Sequence, residues 1–414
     1  MRLMSIYTST VVAGLLASGF AVSIAGVETE LITSTPGRIV QVQVKLKTPK
    51  DGRDKRVARP LDEVSCSMFI PQGSGTLRGA LFNPFYEDTV RQQHWRTAVN
   101  HWGFALIGTN LFRVRNDEIG LTVRNALNQL AKAGGHPEVS HFPLCVLGMS
   151  IGAGLTTRIV EAMPERVITA APVCLEVGPR DAASERVPMI TIFGEKDGRQ
   201  MEKLTAKLPE ARRNGAQWAI AVQWGQRHEW YRANNLVMPL FDRAIAKRYP
   251  ASASPLDGPV QLIDYDPKNG WLGDIGTWHS QCPTIAPAGK TTIPAGRSCW
   301  LPDHYVASVW QAFVAKEPRI KIITPAGQGD GKPFAAYSSG SPISVTLAAD
   351  PTCKTEHIDL YDGSERIGRC EGDPPNCVIK GLEAGVHALI ARVTTSDGRQ
   401  ICSHPNTIVV VEPQ

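Results

Sequence analysis

The sequence LCVLGMSIGAG, residues 144–154, decides the fold, because an apolar run ends there at Ser150 and continues among glycines and alanines. The run has the length of a buried strand, and a helix-like segment follows it to about Met163. The spacing Gly148-x-Ser150-x-Gly152 also arises by chance, but here it lies between a strand and a helix, the setting of a nucleophile elbow. Such a sharp turn needs small residues around the serine, because larger ones would clash. The stretch predicts a serine hydroxyl at the edge of a sheet.

Strand-like and helix-like segments alternate on both sides of this stretch, from about residue 39 to 248. Apolar residues recur at helical spacing from Ile119 to Ala131, and this pattern ends at Gly134-Gly135. Strands separated by helices predict an α/β fold, with a mostly parallel sheet covered by helices on both faces. The other predicted strands lie at residues 39–46, 64–70, 79–85, 104–108, 167–172, 187–193 and 218–224.

A nucleophilic serine needs a histidine base and a carboxylate that orients the base. VPMITIFGEKDG (residues 187–198) is a buried strand that ends in a turn with Asp197, and WAIAVQWGQRHEW (218–230) is a strand followed by His228. Both side chains follow the carboxyl ends of successive strands, where open parallel sheets bind ligands. Glu195 is the alternative acid and His279 the alternative histidine, although a solvated turn and a packing role explain these two residues better.

Attack by such a serine on a carbonyl carbon creates a negative oxygen that needs two hydrogen-bond donors. The backbone N–H of Ile151, at the start of the helix, is one predicted donor. The second is expected from FNPFYED (residues 82–88), and because Pro84 has no N–H it is the backbone of Phe85 or Tyr86, with the Asn83 side chain as an alternative. Asn83-Pro84 could also be a simple turn.

GMSIG, GEKDG and GQRHEW make residues 60–248 resemble the α/β-hydrolase superfamily, in particular its secreted esterases and dienelactone-hydrolase-like branches. The resemblance implies Ser150 as nucleophile, His228 as general base and then acid, and Asp197 as orienting carboxylate. It implies a carboxylic ester hydrolase that forms an acyl-enzyme. No metal or phosphate-binding motif is visible, so no cofactor is expected. A serine peptidase or amidase of the same fold, and a catalytically silent binding or adhesion protein, remain alternatives.

Residues 249–317 are rich in Gly, Pro and Trp, and we interpret them as an appendage of a catalytic domain that spans 26–317. The appendage is expected to fold over the sheet edge and line the site. Tryptophan and tyrosine faces suit sugar rings and aromatic acyl groups. The predicted substrate-binding residues are Trp271, Tyr86 and Trp230. Export together with a β-rich tail favours esters of extracellular polysaccharide, or a polyester, as substrate.

Residues 318–414 contain short alternating runs separated by Gly, Pro, Asp and Asn, which is typical of a β-sandwich. IDLYDGSERIG (358–368) and GLEAGVHALIARVTTSDG (381–398) resemble a bacterial immunoglobulin-like domain. If this tail only targets the enzyme to polymer, its removal should leave hydrolysis of soluble esters intact.

The first 25 residues have the pattern of an export signal. Arg2 gives a positive start, residues 11–25 are a short apolar stretch, and Ser23-Ile24-Ala25 is a small-x-Ala cleavage site. A buried helix or a membrane anchor is the alternative. We expect a secreted protein, extracellular or periplasmic, with no membrane span in its mature chain because no later run approaches about 18 apolar residues.

The composition sets further bounds. At 414 residues the chain exceeds what one core usually supports, and its net charge of +5 is spread over both signs, which predicts no nucleic-acid partner. Nine cysteines fit an oxidising compartment. Cys282–Cys299 and Cys370–Cys377 are the predicted disulfides, whereas the cysteines at 66, 145 and 174 are expected to be buried on strands. The sequence leaves the oligomeric state open.

Overall fold

The computed structural model describes residues 21–24, 27–30, 34–50, 61–325 and 335–412. The predicted export signal lies outside these residues, except for strand β1 (Ala21–Ile24), which pairs with β2 (Val27–Glu30) in an antiparallel hairpin. We call residues 34–317 the N-terminal domain and residues 318–412 the C-terminal domain. None of the described helices has the length and hydropathy of a membrane-spanning segment.

An eight-stranded sheet forms the centre of the N-terminal domain, and its strands occur in the order β10-β9-β8-β7-β5-β6-β4-β3. The strands from β10 to β6 are parallel to their neighbours, and only β4 and β3 are antiparallel. The predicted, mostly parallel sheet is therefore confirmed. The strand bounds are β3 Gly37–Lys50, β4 Leu61–Pro71, β5 Gly79–Asn83, β6 Phe104–Thr109, β7 Leu144–Met149, β8 Val167–Val173, β9 Met189–Gly194 and β10 Trp218–Gln223.

Helices connect these strands and pack on the sheet. The helix predicted from the spacing of Ile119 to Ala131 is present, and it ends where Gly135 adopts a left-handed conformation with φ 69°. The burial of β5 to β10 along almost their whole length explains their continuous apolar sequences. The helix bounds are α1 Gln93–Trp102, α2 Ile119–Gly134, α3 Ile151–Ala162, α4 Gln200–Thr205, α5 Leu208–Arg213, α6 Asn234–Arg248 and α7 His304–Phe313.

The appendage at residues 249–317 packs beside the edge strand β10. It contains a small antiparallel sheet in which β11 (Trp271–Asp274) lies between β12 (Ile285–Pro287) and β13 (Ser298–Leu301). Trp310 on α7 is fully buried and donates its indole N–H to the carbonyl oxygen of Ile220 at 2.8 Å. The appendage therefore uses its large side chains to cover the end of the central sheet.

The C-terminal domain is a β-sandwich, as predicted. A three-stranded sheet β14-β16-β19 and a sheet β15-β22-β20-β17-β18, with β21 paired to β20, enclose a separate apolar core. The strand bounds are β14 Ile320–Thr324, β15 Ala336–Ser338, β16 Ile343–Ala349, β17 Thr355–Asp362, β18 Glu365–Cys370, β19 Asn376–Ile379, β20 Gly385–Thr395, β21 Gln400–Cys402 and β22 Asn406–Val411.

Strand β20 is buried on both faces, and this joins the two domains. Leu389, Ala391 and Val393 point into the sandwich, whereas the alternate residues Ala388 and Ile390 belong to the core of the N-terminal domain. Strands β20 and β22 contact α6, and β20 also contacts α7. Removing residues 318–412 would therefore expose apolar surface of the N-terminal domain, in contrast to the separable tail expected from the sequence.

One of the two predicted disulfides is present. Cys370 and Cys377 form a disulfide between β18 and β19, as predicted. The Cys282–Cys299 prediction is wrong, because Cys299 is buried against β10 and Cys282 instead lies beside Cys402, with 3.0 Å between the two sulfur atoms. The turn-rich sequence around Cys282 gave no sign that it faces the C-terminal domain. The cysteines at 66, 145 and 174 are buried, as expected.

Candidate active site

Ser150 stands at the junction of β7 and α3 in a strained conformation, with φ 57° and ψ −119°. Its N–H donates to the carbonyl oxygen of Val173 at 2.8 Å, which fixes the turn against β8. A Cβ atom on Gly148 would collide with the backbone of Gly152. Gly148 is therefore required by the close approach of strand and helix.

His228 and Asp197 are in contact beyond the carboxyl ends of β10 and β9. The Nδ1 atom of His228 lies 3.0 Å from each carboxylate oxygen of Asp197. Gln200 donates its side-chain N–H to Asp197 Oδ2 at 2.6 Å, which helps to hold the carboxylate. A Cβ on Gly194 would collide with the carbonyl oxygen of Arg227, so this glycine lets the histidine loop approach the end of β9.

Ser150 and His228 line the same cavity, which has a volume of about 520 Å³. Burial lowers the pKa of His94, a residue of this cavity, to about 4, so its imidazole is neutral at physiological pH. The cavity is therefore mostly apolar, with a serine hydroxyl and an imidazole at its rim. Six of its twelve lining residues are apolar or aromatic: Phe85, Tyr86, Trp95, Leu147, Met149 and Trp230.

The predicted second oxyanion donors lie at this cavity but are already engaged. The N–H groups of Phe85 and Tyr86 both donate to Asn83 Oδ1, each at 3.1 Å. Because the carbonyl end of the Asn83 amide faces these donors, its NH₂ end is left for another partner. Asn83 also lines the cavity. In this arrangement the Asn83 side chain closes a turn, and neither backbone N–H is free to bind an oxyanion.

The sheet order, with its antiparallel strands at one end, and the order serine, acid, histidine at the ends of β7, β9 and β10 decide the fold. The N-terminal domain has the α/β-hydrolase fold. We therefore call it the hydrolase domain, a label that refers to its fold alone.

No protein-family model matches the chain, and no curated protein matches it. Solved structures with low similarity include the dienelactone hydrolase from Anabaena variabilis, at 15% identity and a TM-score of 0.33, covering 51% of this chain and 97% of that one. A feruloyl esterase module from Clostridium thermocellum, complexed with sinapinate, is 12% identical, with a TM-score of 0.33 over 49% of this chain and 90% of the module. Fibronectin(III)-like modules from the same organism are 22% identical, with a TM-score of 0.20 over 22% of this chain and 93% of theirs.

The other predicted residues of the hydrolase domain fall into two groups. Tyr86 and Trp230 line the Ser150 cavity. Trp271 does not, because it lies on β11 and stacks on His304, with 4.0 Å between the ring centroids. The appendage covers the β10 edge, and none of its residues lines this cavity. The appendage therefore does not line the cavity of Ser150, contrary to the expectation from the sequence.

The alternative acid and histidine have other partners. Glu195 accepts a hydrogen bond from the N–H of Gly225 at 2.8 Å. His279 packs on Trp224, with 4.8 Å between the ring centroids. Neither residue lines the cavity of Ser150.

No sequence pattern indicates four polar residues of the site, which are Gln92, His94, Gln200 and Asn234. Gln200 follows Asp197 by three residues, and only the fold shows that its amide reaches back to the carboxylate. Asn234, at the start of α6, is fully buried and lines the cavity. Its Oδ1 accepts from Trp230 Nε1 at 2.8 Å, and its Nδ2 has no hydrogen-bond partner among the described residues. A buried donor without a partner at a ligand cavity can bind a polar ligand atom.

Among the described residues, one group of side chains has the spacing needed to hold a metal ion. Cys174, Asp197 and His228 each offer a ligand atom, and these atoms lie within 4.8 Å of one another. Burial, with the nearby charge of Asp197 in addition, raises the pKa of the Cys174 thiol to about 12. The thiol therefore stays protonated at neutral pH, and a protonated thiol is a poor metal ligand. The donor set thus fits an oriented histidine–carboxylate pair better than a metal centre.

Proposed function

We propose that this protein is a carboxylic ester hydrolase with Ser150 as nucleophile, His228 as general base and acid, and Asp197 as orienting carboxylate. The observation that carries the proposal is the contact of His228 Nδ1 with Asp197, beside a cavity that Ser150 also lines. A carboxylate that accepts the Nδ1 proton keeps the other ring nitrogen, Nε2, available as a base.

We infer the following reaction from these roles. His228 Nε2 takes the hydroxyl proton while Ser150 Oγ bonds to the ester carbonyl carbon, and the imidazolium then returns the proton to the departing alcohol. Water attacks the acyl-enzyme with the same base, and the carboxylic acid leaves. Asp197 stabilises the imidazolium throughout and stays ionised.

Two donors would stabilise the oxyanion. The N–H of Ile151, the first residue of α3, has no intrahelical partner and carries the positive end of the helix dipole. We assign the second donor to the NH₂ group of Asn83, because the N–H groups of Phe85 and Tyr86 already donate to its oxygen.

The Asn83 assignment has its own test. Asn83→Ala should lower kcat about 10²- to 10³-fold, the usual loss for one oxyanion donor. If the backbone donors act instead, the same change frees the N–H groups of Phe85 and Tyr86, and kcat is retained or rises. Single-turnover kinetics with a nitrophenyl ester distinguishes these outcomes.

The cavity favours an apolar or aromatic acyl group. Phe85, Trp95 and Trp230 offer ring faces, and Asn234 Nδ2 offers one buried donor for a polar atom of the substrate. The feruloyl esterase module noted above was solved with an aromatic acid, sinapinate. A panel of acetyl, longer acyl and feruloyl esters would rank these choices.

Export and a polymeric substrate belong to the same proposal. The first 25 residues carry the sequence pattern of an export signal. Protein recovered from the medium should begin near Gly26, as measured by intact mass. Esters on insoluble polysaccharide or polyester should be hydrolysed. Analysis of the released products would identify which of the two polymers is the substrate.

The deciding experiment is Ser150→Ala. Turnover of short nitrophenyl esters should fall at least about 10⁴-fold. Ser396→Ala, at an exposed position of the C-terminal domain, is the matched control and should keep full activity. Residual turnover of Ser150→Ala near that of the control would reject the proposal, and cleavage of peptide anilides in preference to esters would point to an amidase.

A further inference from the structure

A second cavity, of about 960 Å³, lies between the hydrolase domain and the C-terminal domain. We call it the interdomain cleft. It is lined by residues 224–226, 231 and 232 of the histidine loop, by residues 316–319 and 321, and by the end of β16. It shares no lining residue with the cavity of Ser150.

Arg232 is the unusual residue of the cleft. Arg232 is only 6% exposed. One of its Nη2–H groups donates to the carbonyl oxygen of Phe313 at 3.2 Å. The guanidinium also lies over the ring of Phe313, 5.2 Å from its centroid. Its Nε atom has no hydrogen-bond partner, and no carboxylate pairs with it among the described residues.

Arg166 and Arg248, which are about as buried as Arg232, are better satisfied, whereas Arg212 and Arg392 also have buried Nε and Nη2 atoms without a hydrogen-bond partner among the described residues. Arg248 donates to the carbonyl oxygens of Val167 and Ile168 and pairs with Asp264. Arg166 makes three hydrogen bonds to backbone carbonyl oxygens. Burying a cation without full compensation costs free energy, and buried cations are normally paired. Burial lowers the pKa of Arg232 only to about 10, so it remains charged at neutral pH.

Three lysines of the cleft add positive charge to that of Arg232. Lys196, Lys316 and Lys321 line it, and Lys316 lies 4.8 Å from the centre of the Trp224 ring. Arg319 is paired with Asp350 at 4.0 Å, which leaves Glu195 and Glu317 as the opposing carboxylates. Glu195 already accepts the N–H of Gly225. The cleft thus has an excess of positive charge around the buried guanidinium of Arg232, whose Nε atom lacks a hydrogen-bond partner.

We propose that the interdomain cleft is an oxyanion-binding site, in which Arg232 binds a carboxylate or sulfate group and Lys316 and Lys321 bind further acidic groups of a longer ligand. Guanidinium groups suit such oxyanions because their N–H groups form parallel hydrogen bonds to two oxygens. The cleft is large enough for more than a single ion. The site is independent of the reaction at Ser150.

Calorimetric titration of the full chain tests the proposal with two probes at constant ionic strength: sodium sulfate, and a trisaccharide of galacturonic acid. The uncharged trisaccharide of galactose is the ligand control. We expect sulfate and the acidic trisaccharide to bind and the galactose trisaccharide not to bind. Tighter binding of the acidic trisaccharide identifies an acidic polymer as the ligand, whereas equal or tighter binding of sulfate identifies a small-ion site.

Two variants and a matched control locate the binding. Arg232→Met should weaken binding at least about tenfold, and Lys321→Gln about threefold. Lys268→Gln makes the same charge change at an exposed position outside the cleft and should leave binding unchanged. Arg232→Met should also raise the melting temperature of the ligand-free protein, because it removes a buried charge, whereas a purely structural arginine would lower it. Absence of binding up to about 10 mM, or equal binding by Lys321→Gln and Lys268→Gln, would overturn the proposal.

Discussion

Four histidine–aspartate pairs lie among the described residues, and in two of them the histidine Nδ1 atom contacts the carboxylate, in different surroundings. In the first, His228 Nδ1 lies 3.0 Å from Asp197, and the histidine side chain is 44% exposed. In the second, at the interface of the domains, His387 Nδ1 lies 2.7 Å from Asp362, and the histidine side chain is 13% exposed. His387 Nε2 also contacts the carbonyl oxygen of Glu383 at 2.9 Å.

The difference lies in the second ring nitrogen. Both nitrogens of His387 face acceptors, which favours the protonated imidazole, and Tyr305 and the N–H of Ala388 also donate to Asp362. Burial opposes this charge, but the hydrogen bond and charge of Asp362 overcome the opposition and raise the pKa of His387. At His228 the hydrogen bond to Asp197 uses Nδ1 alone, and the residue lines a cavity. A histidine–carboxylate pair can do acid–base chemistry only where one nitrogen remains for the substrate.

The largest effect is expected at the exposed pair. Asp197→Asn should lower kcat about 10⁴-fold, because the amide favours the wrong imidazole tautomer. Its free energy of unfolding, measured in urea, should stay close to that of the wild type. Near-normal turnover would instead return the acid role to Glu195.

Asp362→Asn should produce the opposite pattern. Breaking a buried ion pair leaves the other charge uncompensated, so the free energy of unfolding should fall by about 3 to 5 kcal/mol. Turnover of a soluble ester, measured well below the melting transition, should stay within about twofold. A variant with unchanged stability and lost activity would contradict the structural role.

A smaller effect is expected for Tyr305→Phe. The hydroxyl of Tyr305, on α7, donates to Asp362 Oδ1 at 2.5 Å and links the hydrolase domain to the C-terminal domain. Its removal should lower the free energy of unfolding by about 1 to 2 kcal/mol, the usual value for a buried hydrogen bond. Urea unfolding followed by tryptophan fluorescence measures this change. A loss as large as that of Asp362→Asn would assign the stability to the tyrosine instead of the ion pair.

The smallest effect is on the pH dependence of stability. The pKa of His387 is raised in the folded protein by Asp362 and, to a lesser extent, by Asp242, despite burial. Its stabilisation is therefore complete below the ordinary histidine pKa, about 6.5, and is lost as the pH rises through the folded-state value. His387→Gln should remove this decline, at most about 1.4 kcal/mol per pH unit. His94 and His404, whose pKa values burial lowers, act only below the ordinary value, so they do not mask it.

The sequence was sufficient for the scaffold and for the contact of His228 with Asp197. Buried parallel strands have continuous apolar sequences, and polar residues that follow them meet at one sheet edge, so Ser150, Asp197 and His228 could be placed before any coordinates existed. The catalytic roles of these residues remain predictions.

Long-range side-chain contacts could not be predicted. Nothing in the sequence shows that Asn83 turns its oxygen toward two N–H groups, because that choice depends on the local backbone path. The partner of Cys282 lies 120 residues away, whereas the nearer Cys299 is enclosed by the core. The apolar run of β22, NTIVVV, is buried over almost its whole length, whereas the alternating runs of this region predict strands with one exposed face.

The burial of β20 on both faces also affects the order in which the two domains can fold. While a ribosome still holds residues 318–412, the surface of α6 that β20 and β22 cover is open to water. The nascent hydrolase domain therefore emerges with this surface of α6 exposed. The surface is covered only when β22, Asn406–Val411, has been synthesised and released. Transfer of this sandwich to another enzyme would require a matching apolar surface in place of α6.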